Sequence, residues 1–241
     1  MPDRFAILLD GGFVRNKLGE LKRAELIAAG GDPQKDYPLE EVFPSADDVV
    51  KLADRIKHHS RLMASELFRI YYYDSPPMGG SKKNPISGRK YDFEGNKVHG
   101  LNQRLQDTLA QTSDVAVRRG ETVFRGWYLR DFALEEIAKT QRPLKGEDLA
   151  PDIQQKGVDL RIGLDVALIS IKRIVDTIVL VSGDADLVPA MKFARREGLR
   201  VYLDTMGGKV RSNLTEHSDY HFNSSPLPPP PTPPAPPTPA A

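Results

Sequence analysis

Two short apolar runs, each leading into small and acidic residues, constrain the fold of this chain more than any other feature. The first run is FAILL at residues 5–9, which leads into Asp10, and the second is TIVLVS at residues 177–182, which leads into Gly183 and Asp184. Runs of this length without a polar face are typical of strands buried in the middle of a parallel sheet. The sequence therefore predicts an α/β protein with a mainly parallel central sheet.

Helical and extended patterns alternate along the rest of the chain, as expected for parallel strands joined by right-handed crossovers. Helices are predicted at residues 13–29, 98–111, 158–173 and 187–197, and after Ser45 as an N-cap. Further strands are predicted at residues 67–73, 115–119, 122–129 and 199–203. A hairpin or an extension of the sheet is expected around Gly120, and loops are expected at residues 75–97 and 140–156. The helix at 158–173 has apolar residues at Leu160, Leu164, Ala167, Leu168 and Ile171.

The composition excludes several classes of site. The chain of 241 residues has no cysteine, so disulfides, thiolate metal sites and cysteine nucleophiles are excluded. Its 34 basic and 33 acidic residues nearly balance, which excludes a strongly basic coat but not a local basic groove. No stretch is apolar enough to span a bilayer, and the N-terminus lacks the order of a signal peptide. No membrane partner is therefore expected, and the expected location is the cytoplasm.

The C-terminal segment has a separate composition. Residues 224–241 carry no charge and contain half of the 20 prolines, which is typical of an extended tail that buries no core. The predicted organisation is one folded domain at residues 1–223 and a disordered, proline-rich tail at residues 224–241. A solvated tail is the favoured interpretation, and a protein partner with a proline-reading groove is the alternative.

Acidic residues follow both of the buried strands. Asp10 comes after the first strand, and Asp184 and Asp186 come after the later one. In open parallel sheets, ligands bind beyond the carboxyl ends of the strands, at the point where the strand order reverses. Asp159 joins from a different direction, because it lies in the KGVD motif at residues 156–159 that leads into a helix. These four aspartates are the candidate site, and Asp165, on another face of the same helix, ranks below them.

A group of crowded carboxylates either takes up protons or recruits a cation. With no cysteine and no suitably spaced histidine pair, the fitting ion is a hard one that prefers oxygen ligands, Mg²⁺ or Mn²⁺. Such an ion suits the hydrolysis of phosphate esters. The competing interpretation is that Ser182, Asp184 and Asp186 are helix N-caps, which is favoured for each residue taken singly but not for the whole set.

Several motifs resemble one known family. They are LDGGF at residues 9–13, RRGE at 118–121, KGVD at 156–159, VSGDADLVP at 181–189 and LTEHSDYHF at 214–222. Together they resemble the NYN domain, in particular its LabA-like (DUF88) branch, over roughly residues 4–223. KGVD followed by SGDxDxxP is the most specific part of this resemblance.

The resemblance implies a PIN-like three-layer α/β fold with helices on both faces of the sheet. It also implies a divalent metal held by aspartates and the hydrolysis of RNA phosphodiesters. Carried over position by position, Asp10, Asp159, Asp184 and Asp186 match the acidic residues that bind the metal and perform catalysis. Many NYN domains have asparagine three residues after the first of these aspartates, where this chain has Phe13, and Asn16 is a candidate replacement.

An RNA substrate, expected to be single-stranded, requires cations near the acids. The candidate substrate-binding residues are Arg118, Arg119, Lys156 and Ser182, with Arg125, Lys82, Lys83, Arg89 and Lys90 as further cations and Tyr91, Phe93 and Trp127 as stacking residues. Two other functions stay open, a binding module for RNA or protein with little turnover and a metal-dependent phosphatase for small phosphomonoesters. A homodimer also stays open.

Overall fold

The computed structural model describes residues 2–224 of the chain. The predicted proline-rich tail therefore lies outside the described residues, except for Ser224. Within the described range, none of the helices has the length and apolar character needed to cross a membrane.

Six parallel strands form the central sheet, as the two buried runs predict. Numbered in chain order and read across the sheet, they are β10 (Tyr220–Phe222), β9 (Arg200–Asp204), β8 (Thr177–Val181), β1 (Arg4–Asp10), β2 (Glu66–Asp74) and β5 (Val115–Arg119). The chain builds outward from β1 to one edge and then returns to build outward from β8 to the other. The strand order therefore reverses between β1 and β8.

Helices cover both faces of this sheet and complete the three layers. One face is packed by α1 (Gly11–Ala28), α3 (Ala46–Lys57) and α4 (Lys97–Ala110), and the other by α6 (Val158–Ile171), α7 (Val188–Arg196) and α8 (Ser212–Glu216). Two further helices complete the chain: α2 (Leu39–Val42) lies between α1 and α3 in sequence, and α5 (Asp131–Thr140) lies between α4 and α6. Along β1, Ile7 and Leu9 face the first layer whereas Ala6 and Leu8 face the second. This strand is apolar throughout because both of its faces are covered.

The N-cap prediction for the helix after Ser45 is confirmed. The Ser45 hydroxyl accepts from the backbone N–H of Asp48 at 3.3 Å, and the Asp48 carboxylate accepts from the Ser45 N–H at 2.8 Å. This reciprocal pair is a capping box that satisfies two backbone donors at the start of α3.

The predictions for two loops were wrong. The segment at 75–97 contains a hairpin formed by β3 (Ser81–Lys83) and β4 (Lys90–Asp92). The segment at 140–156 contains β7 (Leu149–Lys156), which pairs antiparallel with β6 (Glu121–Leu129). The strands around Gly120 therefore form no hairpin with each other, because β5 extends the main sheet and β6 leaves it. Half of the residues of β7 are exposed, and its sequence lacks the apolar alternation that predicts a strand.

The apolar residues that mark α6 in the sequence do not form its buried face. The core contacts come from Val158, Ile162, Val166 and Ile169, whereas Leu160, Leu164, Leu168 and Ile171 are exposed. This helix has apolar residues on two opposite sides, so periodicity alone does not identify the inner one.

Candidate active site

The candidate site lies at the point where the strand order reverses. In the sheet, Leu9 of β1 is paired with Val181 of β8, so the residues that follow them leave the sheet side by side. The segments after these two strands diverge to opposite layers, because α1 follows β1 and packs on one face, whereas α7 follows β8 and packs on the other. A crevice at such a switch point is where open parallel sheets bind their ligands.

Asp10 and Ser182 join the ends of these two strands. The Ser182 hydroxyl donates to Oδ2 of Asp10 at 2.8 Å, and the Phe13 backbone N–H donates to Oδ1 at 3.2 Å. Asp10 is therefore the N-cap of α1 as well as the first candidate acid. Burial raises the pKa of Asp10, the hydrogen bonds from Ser182 and Phe13 oppose that rise, and the charge of Asp184 adds to it.

Asp184 and Asp186 lie in the turn between β8 and α7. The Ser182 hydroxyl accepts from the Asp184 backbone N–H at 3.1 Å, and Oδ1 of Asp184 accepts from the Asp186 N–H at 2.9 Å. Asp184 thus has the capping role that was considered as the alternative to a site. The two roles are compatible, because Asp184 is only half-buried and its charge acts on Asp10 and Asp159.

Asp159 approaches the same place from α6. It lies in the first turn of that helix, after Gly157, whose φ of 74° is a left-handed conformation that favours glycine. Asp159 is exposed, but partial desolvation of its carboxylate raises its pKa, and the charges of Asp184, Asp10 and Asp186 raise it further. Asp159 is therefore close enough to the other three predicted acids to be affected by their charge. Within residues 2–224, however, no three histidine, aspartate or glutamate residues are grouped so that they could hold a metal ion.

A fifth acid, Asp74, ends the strand next to Asp10 and was not included in the predicted site. Its side chain is fully buried and forms an ion pair with Arg15. Its Oδ1 accepts from the Ser75 N–H at 2.8 Å and from the Gln155 amide at 3.2 Å. The sequence indicated that a strand ends at Asp74, which was the available signal. It gave no indication that Arg15 and Gln155 surround the carboxylate.

Gly11 allows Asp74 and Asp10 to lie side by side. A Cβ atom at Gly11 would lie 2.7 Å from the Tyr73 carbonyl oxygen and 2.9 Å from Cβ of Asp74. The start of α1 therefore packs directly on the end of β2. Burial also raises the pKa of the neighbouring Tyr72 to about 12, so its hydroxyl stays protonated and donates to Oδ2 of Asp74.

Phe13 fills the position where many NYN domains have asparagine. A Cβ atom at Gly183 would lie 2.8 Å from the Phe13 ring, so this ring packs on the turn that carries the later acids. Asn16, the candidate replacement, is exposed on α1.

Two of the predicted substrate-binding residues already bind carboxylates. Arg118 holds Asp165 through two hydrogen bonds of 2.9 and 3.0 Å, and Arg119 holds Asp107 at 3.0 Å. With Arg161, they line a cavity of about 360 Å³ at the end of β5, which is the outer strand of the sheet. The structure thus places both arginines on the far side of β2 from Asp10.

The other predicted cations have no acidic partner among residues 2–224. Lys156 is exposed, and so are the cations of the β3–β4 hairpin. In the part of the chain that the structure describes, none of these side chains forms an ion pair: Lys82, Lys83, Arg89, Lys90 and Lys156. These five side chains therefore carry exposed positive charge that no ion pair neutralises within residues 2–224.

The predicted stacking residues form a small aromatic cluster beneath this hairpin. Tyr91 contacts Phe93 and Trp127, and Phe124 contacts Phe93 and Trp127, with ring centroids 4.9 to 6.0 Å apart. Phe93 is buried, so it anchors the hairpin to the β6–β7 ribbon. It also lines a groove of about 220 Å³ that extends to Arg15 and Gln155, and so to the buried Asp74.

Comparison with protein families identifies the chain. A model of the NYN domain matches residues 39–225, more than half of the sequence. This protein belongs to the NYN family. NYN domains are part of the PIN-like nuclease superfamily, whose members are usually hydrolytic nucleases that use divalent metal ions, and NYN nucleases act on RNA.

The NYN match includes three of the four candidate acids. Asp159, Asp184 and Asp186 lie inside the matched range, whereas Asp10 precedes it. In the folded NYN protein, β1 nevertheless lies between β8 and β2, so Asp10 is adjacent to the matched residues in space.

Among solved structures, the chain is similar to a protein of unknown function, VPA0982, from Vibrio parahaemolyticus RIMD 2210633. The two share 14% sequence identity with a TM-score of 0.44, over 92% of this chain and 93% of the other. No curated protein matches the sequence significantly.

Proposed function

We propose that this protein is a divalent-metal-dependent ribonuclease of the LabA-like (DUF88) branch, and that Asp10, Asp159, Asp184 and Asp186 are its catalytic, metal-binding residues. One observation carries the proposal. Three chain segments that are distant in sequence bring four carboxylates to the switch point. The pKa of Asp10 and the pKa of Asp159 are both raised there, by desolvation and by the charge of neighbouring acids. Stability alone gives no reason to collect like charges in this way.

The chemistry of these residues fits a hard cation. All four side chains offer carboxylate oxygens, which Mg²⁺ and Mn²⁺ prefer, and their mutual repulsion favours the uptake of positive charge. Asp10, Asp184 and Asp186 would hold the ion, and Asp159 would complete the set. When bound, the ion supplies Lewis-acid stabilisation of charge on phosphoryl oxygens.

The protein's own residues have separate tasks in this proposal. The Ser182 hydroxyl orients the Asp10 carboxylate and favours its anionic form against the effect of burial, because a hydrogen bond to the charged form stabilises that form. Asp159, on the opposite layer, orients the attacking water. Asp74 lies behind Asp10 and is already saturated with donors, so it fixes the position of Arg15 rather than reacting.

The distribution of positive charge supports a single-stranded RNA substrate. Lys156 and the cations of the β3–β4 hairpin form no ion pairs among the described residues, so a phosphate backbone displaces no carboxylate partner when it binds them. Arg118 and Arg119 remain predicted contacts, but phosphate would have to replace Asp165 and Asp107 as their partners. A cytoplasmic location and a protein partner for the proline-rich tail are further proposals.

The test is cleavage of labelled single-stranded RNA by the purified full chain with Mn²⁺, beside an Asp184→Asn variant. Cleavage that the variant loses supports the ribonuclease. Cleavage that the variant retains indicates a contaminant or a different site, and contradicts the assignment of Asp184. Release of phosphate from a generic monoester, with the RNA intact, indicates a phosphatase instead.

A second function is favoured by one observation. No group of three potential ligands within residues 2–224 is arranged to hold a metal, as expected for a binding module with little turnover. Tight RNA binding without cleavage in the same assay, unchanged by Mn²⁺, indicates that function.

A further inference from the structure

The outer face of α6 carries a row of large apolar side chains that nothing in the described chain covers. Leu160 is 64% exposed, Leu164 60%, Leu168 45% and Ile171 64%. They follow one another at successive turns of a 14-residue helix, opposite the side that packs on the sheet. We call these four residues the α6 stripe.

The stripe is unusual for a surface helix. Single exposed leucines are common, but monomeric proteins seldom expose a contiguous apolar patch of more than about a few hundred Å². Covering apolar area is favourable by about 25 cal/mol per Å². Four adjacent side chains of this size therefore provide a substantial driving force for association.

Gly163, at one edge of the stripe, provides independent support. A Cβ atom at Gly163 would meet nothing within 4 Å, so the fold of the single chain does not require glycine there. Glycine in a helix interior costs about 0.5–1 kcal/mol relative to alanine. Ala167 lies one turn farther on, so two small residues leave room at this edge for another backbone to approach.

We infer that a second copy of this chain covers the stripe, with the two α6 helices packed antiparallel about a twofold axis. The charges at the ends of α6 favour this occupant. At its N-terminal end the three acids Asp159, Asp184 and Asp186 outnumber the two cations Lys156 and Arg161, whereas Lys172 and Arg173 are exposed just beyond its C-terminal end. Antiparallel packing brings acidic ends to basic ends and opposes the two helix dipoles, whereas parallel packing would bring like charges together.

The size of the helix sets the strength of this dimer. A helix of 14 residues is about 20 Å long. Two such helices form an interface at the small end of the range, below about 1,200 Å² in total, which is typical of weak association. Beside Leu164, the cavity lined by Arg118, Arg161 and Asp165 would form part of the polar rim. The two candidate active sites would lie at opposite ends of the helix pair.

Sedimentation of the full chain over a wide concentration range tests the dimer. We expect concentration-dependent dimers that Leu164→Glu abolishes. The matched control is Leu134→Glu, which alters a leucine that is 57% exposed on α5, and it should leave the dimer intact. A monomer at all concentrations, or equal behaviour of the two variants, overturns the inference. Circular dichroism confirms that each variant is folded.

Disulfide trapping tests the antiparallel arrangement separately and uses the absence of natural cysteine. In the antiparallel register, Leu164 of one copy faces Leu168 of the other. A mixture of Leu164→Cys and Leu168→Cys chains should therefore form a mixed disulfide faster than either variant links to itself. Faster self-linking overturns the antiparallel register, and no linking above that of a Leu134→Cys control overturns the interface. These readouts do not involve cleavage, so they are independent of the ribonuclease proposal.

Discussion

The Ser182 hydroxyl lies 2.8 Å from Oδ2 of Asp10 and donates a hydrogen bond to it, joining the ends of β1 and β8. The same hydroxyl accepts from the backbone N–H of Asp184. One buried serine thus sets the relative positions of an acid from each side of the switch point. It also opposes the rise in the Asp10 pKa that burial causes.

Replacing Ser182 with alanine should therefore reduce activity and shift its pH dependence. Loss of the hydroxyl leaves Asp10 mispositioned, and we expect about a 10- to 100-fold loss of RNA cleavage. Because this hydrogen bond lowers the Asp10 pKa, its removal raises that pKa and moves the acidic limb of the rate profile to higher pH. Cleavage rates across the acidic range measure both effects.

Ser170→Ala is the matched control for this change. Ser170 is equally buried, but its hydroxyl donates to the carbonyl of Val166 within α6, away from the acids. We expect a small loss of stability and no shift of the pH profile. A shift of equal size in both variants would show that Ser182 acts only through stability.

Removing the charge of Asp159 should stabilise the fold while abolishing cleavage. The folded-state pKa of Asp159 is raised, so the native state binds its proton more readily than the unfolded chain does. The free energy of unfolding therefore falls as the pH rises from the pKa of aspartate in the unfolded chain, about 3.9, through the higher pKa of Asp159 in the fold. This loss of stability persists at neutral pH. The Asp159→Asn variant cannot ionise at this position and does not lose this stability. Its midpoint of thermal unfolding should therefore exceed that of the wild type at neutral pH.

The same comparison tests the role of the cation. Mn²⁺ should raise the unfolding temperature of the wild type more than that of Asp159→Asn, because a bound ion relieves the same repulsion. Asp36→Asn, which alters an exposed loop acid, should behave like the wild type in both respects. A lower unfolding temperature for Asp159→Asn alone would contradict the repulsion between the acids.

The strands β1 and β8, which lead to Asp10 and Asp184, could be predicted because their central residues are buried on both faces and are therefore apolar. Asp74 could not be assigned to the site, because its burial depends on Arg15 and Gln155, which reach it from other elements. The strand β6 was predicted, but its partner β7 was assigned to a loop, because half of its residues are exposed and it has no apolar period. In α6 the period was visible, but two apolar faces compete for the core and only the packed fold distinguishes them.

The ion pair between Arg142 and Asp148 should make stability depend on pH in acid. The guanidinium of Arg142 and the backbone N–H of Lys145 lower the pKa of Asp148 to about 2. A lowered folded-state pKa gives stability that is fully present above the unfolded value of about 3.9 and is lost as pH falls toward 2. Asp148→Asn should therefore be less stable than the wild type at neutral pH, and the difference should shrink in acid. Urea unfolding of both proteins at neutral pH and in acid measures this difference in the free energy of unfolding. A difference that does not change with pH would show that the ionisation of Asp148 is not coupled to folding.

A methyl group at Gly11 should disturb the contact between α1 and the end of β2. The added Cβ would overlap the Tyr73 carbonyl oxygen and the Asp74 side chain, and backbone there cannot move without displacing the sheet. We expect Gly11→Ala to lower the free energy of unfolding by about 1–3 kcal/mol. Gly163→Ala is the control, because it meets nothing and should raise the stability of the monomer by about 0.5–1 kcal/mol. Urea unfolding at low protein concentration measures both, and an equal effect of the two changes would show that Gly11 is not in close contact.

The β3–β4 hairpin should provide part of the affinity for RNA. Lys83 and Lys90 are paired across this hairpin and form no ion pair in the described part of the chain, so they can release counterions when they meet phosphates. For single strands, each lost phosphate contact reduces the slope of log K against log salt by about 0.7. Lys83→Ala with Lys90→Ala should therefore weaken binding and flatten this slope by up to about 1.4.

The control is Lys35→Ala with Lys57→Ala, which removes the same charge from exposed positions outside the hairpin. The two double variants would show the same slope of log K against log salt only if the hairpin lysines act through the net charge of the protein. Equal slopes would therefore contradict direct contacts between the hairpin and the RNA phosphates.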